Sequence, residues 1–284
     1  MIYVSSACIR ENKIKDIIIK YEQNGIRNIE LSGGTNYYST LYDDLAELKK
    51  KYDIKYAFHG YFPPPKKDFV INLASCNNEI YERSINHYLK CIDMMKSIEC
   101  NVLSIHAGFF VEIQTEEIGR TFSELTFYDT YYAIERFCKA YEKIRRECKK
   151  NGINLYLENN VLTSSNYEVF GRNDLLMLTN YRSFDELRKR LDFELLLDLG
   201  HLYVSCKTLG LDFEKECQMF SPYVKWLHIS SNNGVVDEHK PLSECDLIVN
   251  TYKNVFSHNI NITLETNGNI NDILNSIDIV QRAQ

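Results

Sequence analysis

Residue types that bind divalent metal ions follow a series of short apolar segments in this chain. A histidine or a carboxylate stands at or just beyond the end of most of these segments, at Glu30, His59, His106, Glu158, Asp198, His228 and Glu265. His201 lies shortly after Asp198, and Asp237 and His239 lie in the stretch after His228. Because unpaired buried charges are costly, such a set is best satisfied by divalent cations, and imidazole with carboxylate suits Zn, Mn, Co or Fe(II).

Repetition of this pattern carries more information than any one residue. A single histidine at a strand end is more often a hydrogen-bonded core residue than a metal ligand. Ligand types at several separate strand ends are far more specific, and together they predict a metal site. Asp237 and His239 are one residue apart, which places both side chains on one face of an extended loop. For Glu30 we expect a hydrogen-bonding role rather than coordination.

The segments that position these residues have the character of buried strands. They are mostly apolar on successive residues, as expected for strands covered on both faces. The predicted strands are Ile2–Ser5, Ile29–Leu31, Ile54–Phe58, Val102–Ile105, Leu155–Leu157, Leu195–Leu197, Val224–Ile229 and Ile260–Leu264. Between them, apolar residues at helical spacing predict helices, with one stripe running from Tyr81 to Met95 and another from Tyr131 to Cys148.

Eight strands alternating with helices predict an α/β fold, namely a (β/α)₈ TIM barrel that forms a single domain over residues 1–284. In such a barrel, functional groups lie at the carboxyl ends of the strands, so the predicted ligands converge at one mouth. The alternative is an open doubly wound sheet. It is disfavoured because the sequence has no Gly-rich dinucleotide loop.

Composition excludes several classes of protein. The chain is 44% hydrophobic and 25% charged, which is ordinary for a globular protein and excludes a disordered one. No apolar run approaches the ~18–20 residues that span a bilayer, and the N-terminus lacks the layout of a signal peptide. Nine cysteines without a Cys-x-x-Cys pair favour a reducing cytoplasm. The net charge of −6 argues against binding nucleic acid through bulk charge.

Several segments carry a resemblance to a known family. They are Phe58–Tyr61, Val70–Ser75, Ser104–Gly108, Leu157–Asn159, Leu197–His201, Leu227–Ser230, Asp237–His239 and Leu264–Thr266. In these segments the chain resembles the xylose-isomerase-like TIM barrels, a superfamily that includes sugar phosphate isomerases and epimerases and the endonuclease IV family. The resemblance covers nearly the whole chain, and it implies a barrel with metal ions at its mouth.

Two branches of this superfamily imply two ligand sets. The isomerase and epimerase branch holds one divalent ion through four residues, which correspond here to Glu158, Asp198, His228 and Glu265. The endonuclease IV branch holds three zinc ions and adds five ligands, which correspond to His59, His106, His201, Asp237 and His239. All nine positions carry a suitable residue.

The loops favour sugar chemistry over DNA. In the endonuclease branch, long loops after the early strands carry arginine and bulky residues that enter the duplex. Here the turn after Glu30, residues 31–38, is short and has no arginine, and Lys66-Lys67 is the only basic doublet near the strand 3 loop. Phosphate contacts need several such residues. The loop after His228 lacks the Gly-x-Gly turn of sugar-isomerase-like relatives, so their substrate contacts are not carried over.

These features predict a metal-dependent isomerase or epimerase that acts on a sugar or sugar phosphate by proton transfer through an enediolate. Glu158 and Glu265 are expected to be both ligands and the acid/base pair, and the cofactor is one to three ions of Zn, Mn, Co or Mg. One alternative is a three-zinc phosphodiesterase, an AP endonuclease or small phosphoester hydrolase in which Glu158 bridges two ions. Another is a binding or accessory protein that keeps the metal site. The sequence leaves the substrate and the oligomeric state open.

Overall fold

Eight parallel strands close into a barrel in the computed structural model, which describes residues 1–256 and 259–284. The barrel strands are β1 (Ile2–Ser5), β2 (Asn28–Leu31), β3 (Lys55–His59), β4 (Val102–His106), β7 (Asn154–Glu158), β8 (Glu194–Asp198), β9 (Val224–Ile229) and β10 (Asn261–Leu264). Two further strands, β5 (Val111–Glu112) and β6 (Thr126–Phe127), lie outside the barrel. The order around the barrel is β1-β10-β9-β8-β7-β4-β3-β2, and β1 pairs with both β10 and β2. This closure confirms the predicted (β/α)₈ barrel and excludes the open sheet.

Helices connect the barrel strands and cover their outer face. They are α1 (Ile14–Glu22), α2 (Leu41–Tyr52), α3 (Asn78–Ser97), α4 (Thr130–Lys150), α5 (Ser164–Phe170), α6 (Tyr181–Arg188), α7 (Leu199–Leu209), α8 (Phe213–Phe220), α9 (Leu247–Val255) and α10 (Ile270–Ala283). Both predicted stripes lie on helices, α3 and α4. Tyr131 departs from the second stripe, because its side chain is 63% exposed and Arg190 stacks on its ring. Within the described ranges, no helix combines the length and apolar character needed to cross a membrane.

The inside of the barrel is divided between an apolar plug and a polar mouth. The plug is a buried cluster that fills the interior and consists of Tyr3, Ala57, Val102, Tyr156, Leu196 and Trp226. Side chains two residues apart on a strand point to the same face, so Trp226 and His228 of β9 both point inward. Trp226 donates a hydrogen bond from Nε1 to Oγ1 of Thr263 at 2.8 Å. The plug therefore closes the barrel directly beneath the polar residues.

A small antiparallel hairpin, β5–β6, is an element that the sequence patterns did not predict. It lies in the long connection between β4 and α4, where Val111 pairs with Phe127. Each of its strands has only two residues, which is too short for an alternating pattern to show. The hairpin adds bulk to the connection that leaves the barrel at His106.

Candidate metal centre

The strand ends bring the predicted ligands to one mouth of the barrel. His59, His106, Glu158 and Asp198 are the last residues of β3, β4, β7 and β8, and Glu265 follows β10 directly. In the sheet register His106 is opposite Glu158, and Asp198 is opposite His228. These pairings join residues far apart in sequence, so the structure brings together the side chains that the sequence placed only one strand at a time.

Four of these residues form what we call the inner group, namely Glu158, Asp198, His228 and Glu265, whose ligand atoms all lie within 4.8 Å of one another. Nδ1 of His228 lies 3.3 Å from Oε1 of Glu158, 3.5 Å from Oε2 of Glu265 and 3.9 Å from Oδ2 of Asp198. The side chains of Glu158, Asp198 and His228 are fully buried, and that of Glu265 is 11% exposed. The inner group presents three carboxylates around one imidazole.

The other predicted ligands form two further groups. In the outer group (His201, Asp237 and His239), Oδ2 of Asp237 lies 3.2 Å from Nε2 of His201 and 2.8 Å from Nε2 of His239. In the histidine group (His59, His106 and Glu158), Oε2 of Glu158 lies 3.4 Å from Nε2 of His59 and 3.5 Å from Nδ1 of His106. Glu158 belongs to two groups and directs one carboxylate oxygen to each.

Glu30 makes the hydrogen bonds expected of it. Nε2 of His228 lies 3.0 Å from Oε1 and 3.2 Å from Oε2 of Glu30, and the hydroxyl of Thr263 donates to Oε2 at 2.9 Å. Glu30, His59 and His228 also have ligand atoms within 4.8 Å of one another. Because Glu30 holds one nitrogen of His228, the other nitrogen faces the inner group. A carboxylate on the far side of a histidine ring orients the ring and raises its basicity as a ligand.

Two more histidine rings are oriented in the same way. Nδ1 of His59 lies 2.9 Å from the hydroxyl of Ser104, and Nδ1 of His201 lies 2.9 Å from the backbone oxygen of Asn159. In both rings this leaves Nε2 facing the site. Sequence reasoning missed the two orienting residues, although Asn159 directly follows a predicted ligand and Ser104 lies on a predicted strand.

Helix capping and a closed loop fix the remaining ligands. Oδ1 of Asp198 accepts a hydrogen bond from the backbone N–H of His201 at 2.7 Å, which caps α7 and leaves Oδ2 facing the site. Asp237 and His239 lie in the loop between β9 and α9. Reciprocal backbone hydrogen bonds between Ser231 and Lys240 close this loop. His239 adopts a left-handed backbone conformation with φ of 50°.

Buried polar atoms without hydrogen-bond partners mark the site as suited to a cation. Among the described residues they include both carboxylate oxygens of Glu158, Oδ2 of Asp198, Nδ1 of His228, Oδ1 of Asp237 and Nδ1 of His239. A buried polar atom left unsatisfied costs about 1–3 kcal/mol. Six such atoms in one place, all of them carboxylate oxygens or imidazole nitrogens, fit the donor set of a divalent metal ion.

Within the inner and histidine groups, burial and neighbouring charges shift pKa values in both directions. Burial raises the pKa of Asp198 to about 6; the charge of His201 acts to lower this pKa, and the charges of Asp237, Glu265 and Glu158 act to raise it. Burial lowers the pKa of His106 to about 4. Burial also acts to raise the pKa of Glu158, but the charges of His106 and His59 hold it below its ordinary value. One imidazole and one ionised carboxylate are therefore ready to act as ligands at neutral pH.

The two histidines of the outer group have raised pKa values and hold protons. Burial acts to lower the pKa of His239, but the hydrogen bond to Asp237 and the charges of the surrounding carboxylates together outweigh it and raise this pKa to about 9. Burial opposes protonation of His201 as well, and the charges of Asp198 and Asp237 raise its pKa well above the ordinary value. Because ligands must lose their protons, a metal ion that binds here displaces protons from these rings.

A cavity of about 550 Å³ opens above the candidate centre. Its floor includes Glu265 and four of the histidines, namely His59, His106, His201 and His239. Its wall includes Ser32, Thr35, Tyr61, Asp68, Phe69 and Ile118. Glu158 does not line the cavity. Of the two predicted acid/base residues, Glu265 is therefore the one that faces the open space.

Comparisons with known proteins agree with this architecture. The uncharacterized protein MJ1614 of Methanocaldococcus jannaschii is 22% identical over 228 residues, which are 80% of this chain and 76% of that protein. The crystal structure of a D-tagatose 3-epimerase-like protein superimposes with a TM-score of 0.73 at 17% identity, over 99% of this chain and 96% of the other. Endonuclease IV from Thermus thermophilus gives a TM-score of 0.60 at 13% identity, over 99% of this chain and 98% of the other.

The family comparison shows which protein family this chain belongs to. The profile of the family described as xylose isomerase-like TIM barrel matches residues 20–263. This range runs from α1 to β10 and includes eight of the nine predicted ligands, all except Glu265. Since the match covers most of the sequence and the fold is the expected barrel, the chain belongs to the xylose isomerase-like TIM barrel family.

Proposed function

We propose that this protein is a divalent-metal-dependent isomerase or epimerase that acts on a sugar or sugar phosphate. The observation that carries the proposal is the inner group of four ligands beneath a cavity of about 550 Å³ that Glu265 lines. This volume is typical of a pocket for a small molecule. The epimerase-like protein compared above shares this barrel fold.

The proposed chemistry is proton transfer next to a carbonyl group. A divalent ion held by the inner group, when bound, supplies positive charge that stabilises negative charge on substrate oxygens. Glu265, which lines the cavity, removes a proton from the carbon beside the carbonyl. Glu158 is the proposed second member of the acid/base pair and delivers a proton to the neighbouring carbon or to the opposite face.

Solvent deuterium exchange tests the proposal. Metal-loaded protein is incubated in D₂O with a panel of ketoses, and deuterium in recovered sugar is measured by mass spectrometry. We expect Glu265→Gln to slow exchange by at least about 100-fold, as is usual when a general base is lost. Glu244→Gln makes the same chemical change at an exposed residue that pairs with Arg282, and it serves as the matched control. If the metal-loaded protein exchanges deuterium into none of the sugars, the proposal is wrong.

A second candidate, a three-zinc phosphodiesterase, is favoured by a different observation. All nine ligands expected for that branch fall into three groups, and Glu158 is shared by two of them. This candidate predicts about three zinc ions per chain and cleavage of an abasic-site duplex or of bis(p-nitrophenyl) phosphate. The isomerase predicts about one ion of Mn, Co, Mg or Zn and no cleavage. A protein that binds metal but shows neither activity would instead be a binding or accessory protein.

We also propose that the protein is located in the cytoplasm. All nine cysteines lie in the described part of the chain, and each is a free thiol. Free thiols in this number suit a reducing compartment.

A further inference from the structure

A buried thiol beside the mouth contacts the segment that carries Glu265. Cys8 ends the short 3₁₀ turn that follows β1, and it is only 3% exposed. Its thiol donates a hydrogen bond to the backbone oxygen of Leu264 at 3.3 Å, and its Sγ accepts one from the backbone N–H of Thr266 at 3.2 Å. Leu264 and Thr266 are the two chain neighbours of Glu265. One side chain therefore bonds the backbone on both sides of this residue.

The thiol makes these contacts where strand pairing ends. β1 and β10 pair as far as Val4 and Leu264, and β1 then gives way to the 3₁₀ turn. On the other side of β10, the backbone N–H of Glu265 donates to the backbone oxygen of Ile229 at 3.1 Å. Because buried backbone groups need partners, Cys8 supplies on the β1 side what strand pairing supplies on the β9 side.

The surroundings of Cys8 hold the thiol in this position. The hydroxyl of the buried Tyr21 lies beside the thiol and donates to the backbone oxygen of Ser5 at 2.8 Å. The backbone oxygen of Cys8 accepts a hydrogen bond from the N–H of Gly268 at 3.2 Å. Burial, together with the charge of Glu265, raises the pKa of Cys8 to about 12, so the thiol keeps the proton that it donates at neutral pH.

The segment held by Cys8 also contacts the outer group. The backbone N–H of Asn267 donates to the backbone oxygen of His239 at 2.7 Å. Residues 264–268 thus connect a ligand of the inner group with a ligand of the outer group. A change at Cys8 is expected to reach Glu265 first, because the thiol bonds both of its neighbours, and to reach His239 only through Asn267.

We propose that Cys8 is a positioning residue whose thiol fixes the backbone on both sides of Glu265 and so directs its carboxylate toward the inner group and the cavity. The expected effect on proton transfer rests on the proposed function, whereas the effect on metal binding rests only on Glu265 being a ligand. Residues that support ligands contribute roughly 10–100-fold to metal affinity or activity. Because a thiol is a weak donor and a weak acceptor, we expect an effect at the lower end of this range.

Backbone amide hydrogen exchange of the metal-loaded protein, followed by NMR, tests the contact itself. Cys8→Ala removes the acceptor of the Thr266 N–H, and we expect this amide to exchange at least about tenfold faster. Cys100→Ala is the matched control, because it removes a buried thiol that donates to the backbone oxygen of Tyr56 at 3.1 Å, near the amino ends of β3 and β4. The control should leave the Thr266 amide unchanged. An unchanged rate for this amide in Cys8→Ala would overturn the inference.

Metal affinity and kinetics test the consequence for the site. Cys8→Ala should lower the affinity of the inner group for Mn about tenfold. At saturating Mn it should lower kcat for deuterium exchange into the sugar by a similar factor, with KM changed less than about threefold. Cys8→Ser keeps a donor and an acceptor and should recover most of both losses, and Cys100→Ala should show neither. Equal loss of Mn affinity in Cys8→Ala and Cys100→Ala, or no recovery in Cys8→Ser, would overturn the inference.

Two features of the design keep the outcome clear. If no sugar takes up deuterium even in the unmodified protein, the proposed function fails, while amide exchange and Mn affinity still decide the role of Cys8. The unmodified protein also gives a check that does not depend on the folding of a variant. Its Thr266 amide should exchange at least about 100-fold more slowly than in an unfolded peptide, and exchange at the unfolded rate would contradict the proposed contact.

Discussion

The inner and outer groups are built on different kinds of backbone. The inner ligands stand at the ends of β7, β8, β9 and β10, four neighbouring strands whose positions are fixed by the barrel. Of the outer ligands, His201 lies in the first turn of α7, and Asp237 and His239 lie in a loop. The side chain of His239 is 29% exposed, whereas that of His228 is fully buried. The inner group therefore forms with the barrel, while the outer group also needs its loop to close.

The two groups also differ in charge. Three carboxylates surround one imidazole in the inner group, but one carboxylate stands between two imidazoles in the outer group. A divalent ion gains more Coulomb energy from the first arrangement. The oxygen-rich inner group suits Mn or Mg as well as Zn, whereas the nitrogen-rich outer group favours Zn. We therefore predict that the inner group binds a divalent ion before the outer group does and accepts more kinds of metal.

The largest expected effect comes from Glu158→Gln, because Glu158 serves both the inner group and the histidine group. We expect loss of metal from both groups and a fall in deuterium exchange on the order of 10³-fold. Metal content by mass spectrometry and exchange kinetics check this, with Glu244→Gln as the control. Full metal content in the variant would show that Glu158 is not the shared ligand.

Removal of metal comes next and tests the order of filling. Without an ion, the buried carboxylates of the inner group repel one another, so EDTA treatment should lower stability by about 3 kcal/mol if the ion is present at ~100 times its Kd. For a chain of this size we expect Tm to fall by roughly 5–10 °C. Titration of the stripped protein with Mn should restore most of this loss. An unchanged Tm after verified metal removal would contradict the structural role of the centre.

A smaller effect is expected when the contact that orients the His228 ring is weakened. Glu30→Gln keeps the shape of Glu30 but removes the charge behind His228, and we expect the affinity of the inner group for metal to fall about 10–100-fold. The outer group should keep its affinity, since none of the described contacts of Glu30 involves its members. Competition with a metal-sensitive dye measures both. Equal weakening of both groups would mean that the substitution disturbs the whole mouth of the barrel.

The smallest effect on the proposed proton transfer is expected from Asp237→Asn. This change removes the one carboxylate of the outer group, so one ion fewer should bind per chain. Exchange should fall by roughly tenfold or less, because the inner ligands and Glu265 are intact. The phosphodiesterase candidate gives the opposite expectation, since all three of its ions take part. If Asp237→Asn lowered deuterium exchange as much as Glu158→Gln, the proposed difference between the roles of the inner and outer groups would be wrong.

Much of this architecture was predictable from local sequence. The eight barrel strands are apolar on successive residues because helices or the plug cover both faces, and that pattern identified all eight with small shifts at their ends. Residue types at and shortly after the strand ends, together with the resemblance to the family, predicted nine ligands, which the structure brings into three groups. The rule that parallel strands present their carboxyl ends at one mouth was sufficient to expect the groups to meet.

Other features depended on contacts between distant parts of the chain. Glu30 and His228 are 198 residues apart, and only barrel closure places the carboxylate behind the imidazole ring. The division of the ligands into groups and the two-sided role of Glu158 likewise follow from distances across the barrel. Residue type and strand order determined which groups meet at the mouth. Their separations and partners depended on the tertiary structure, because strand register and loop closure fix distances that no local pattern encodes.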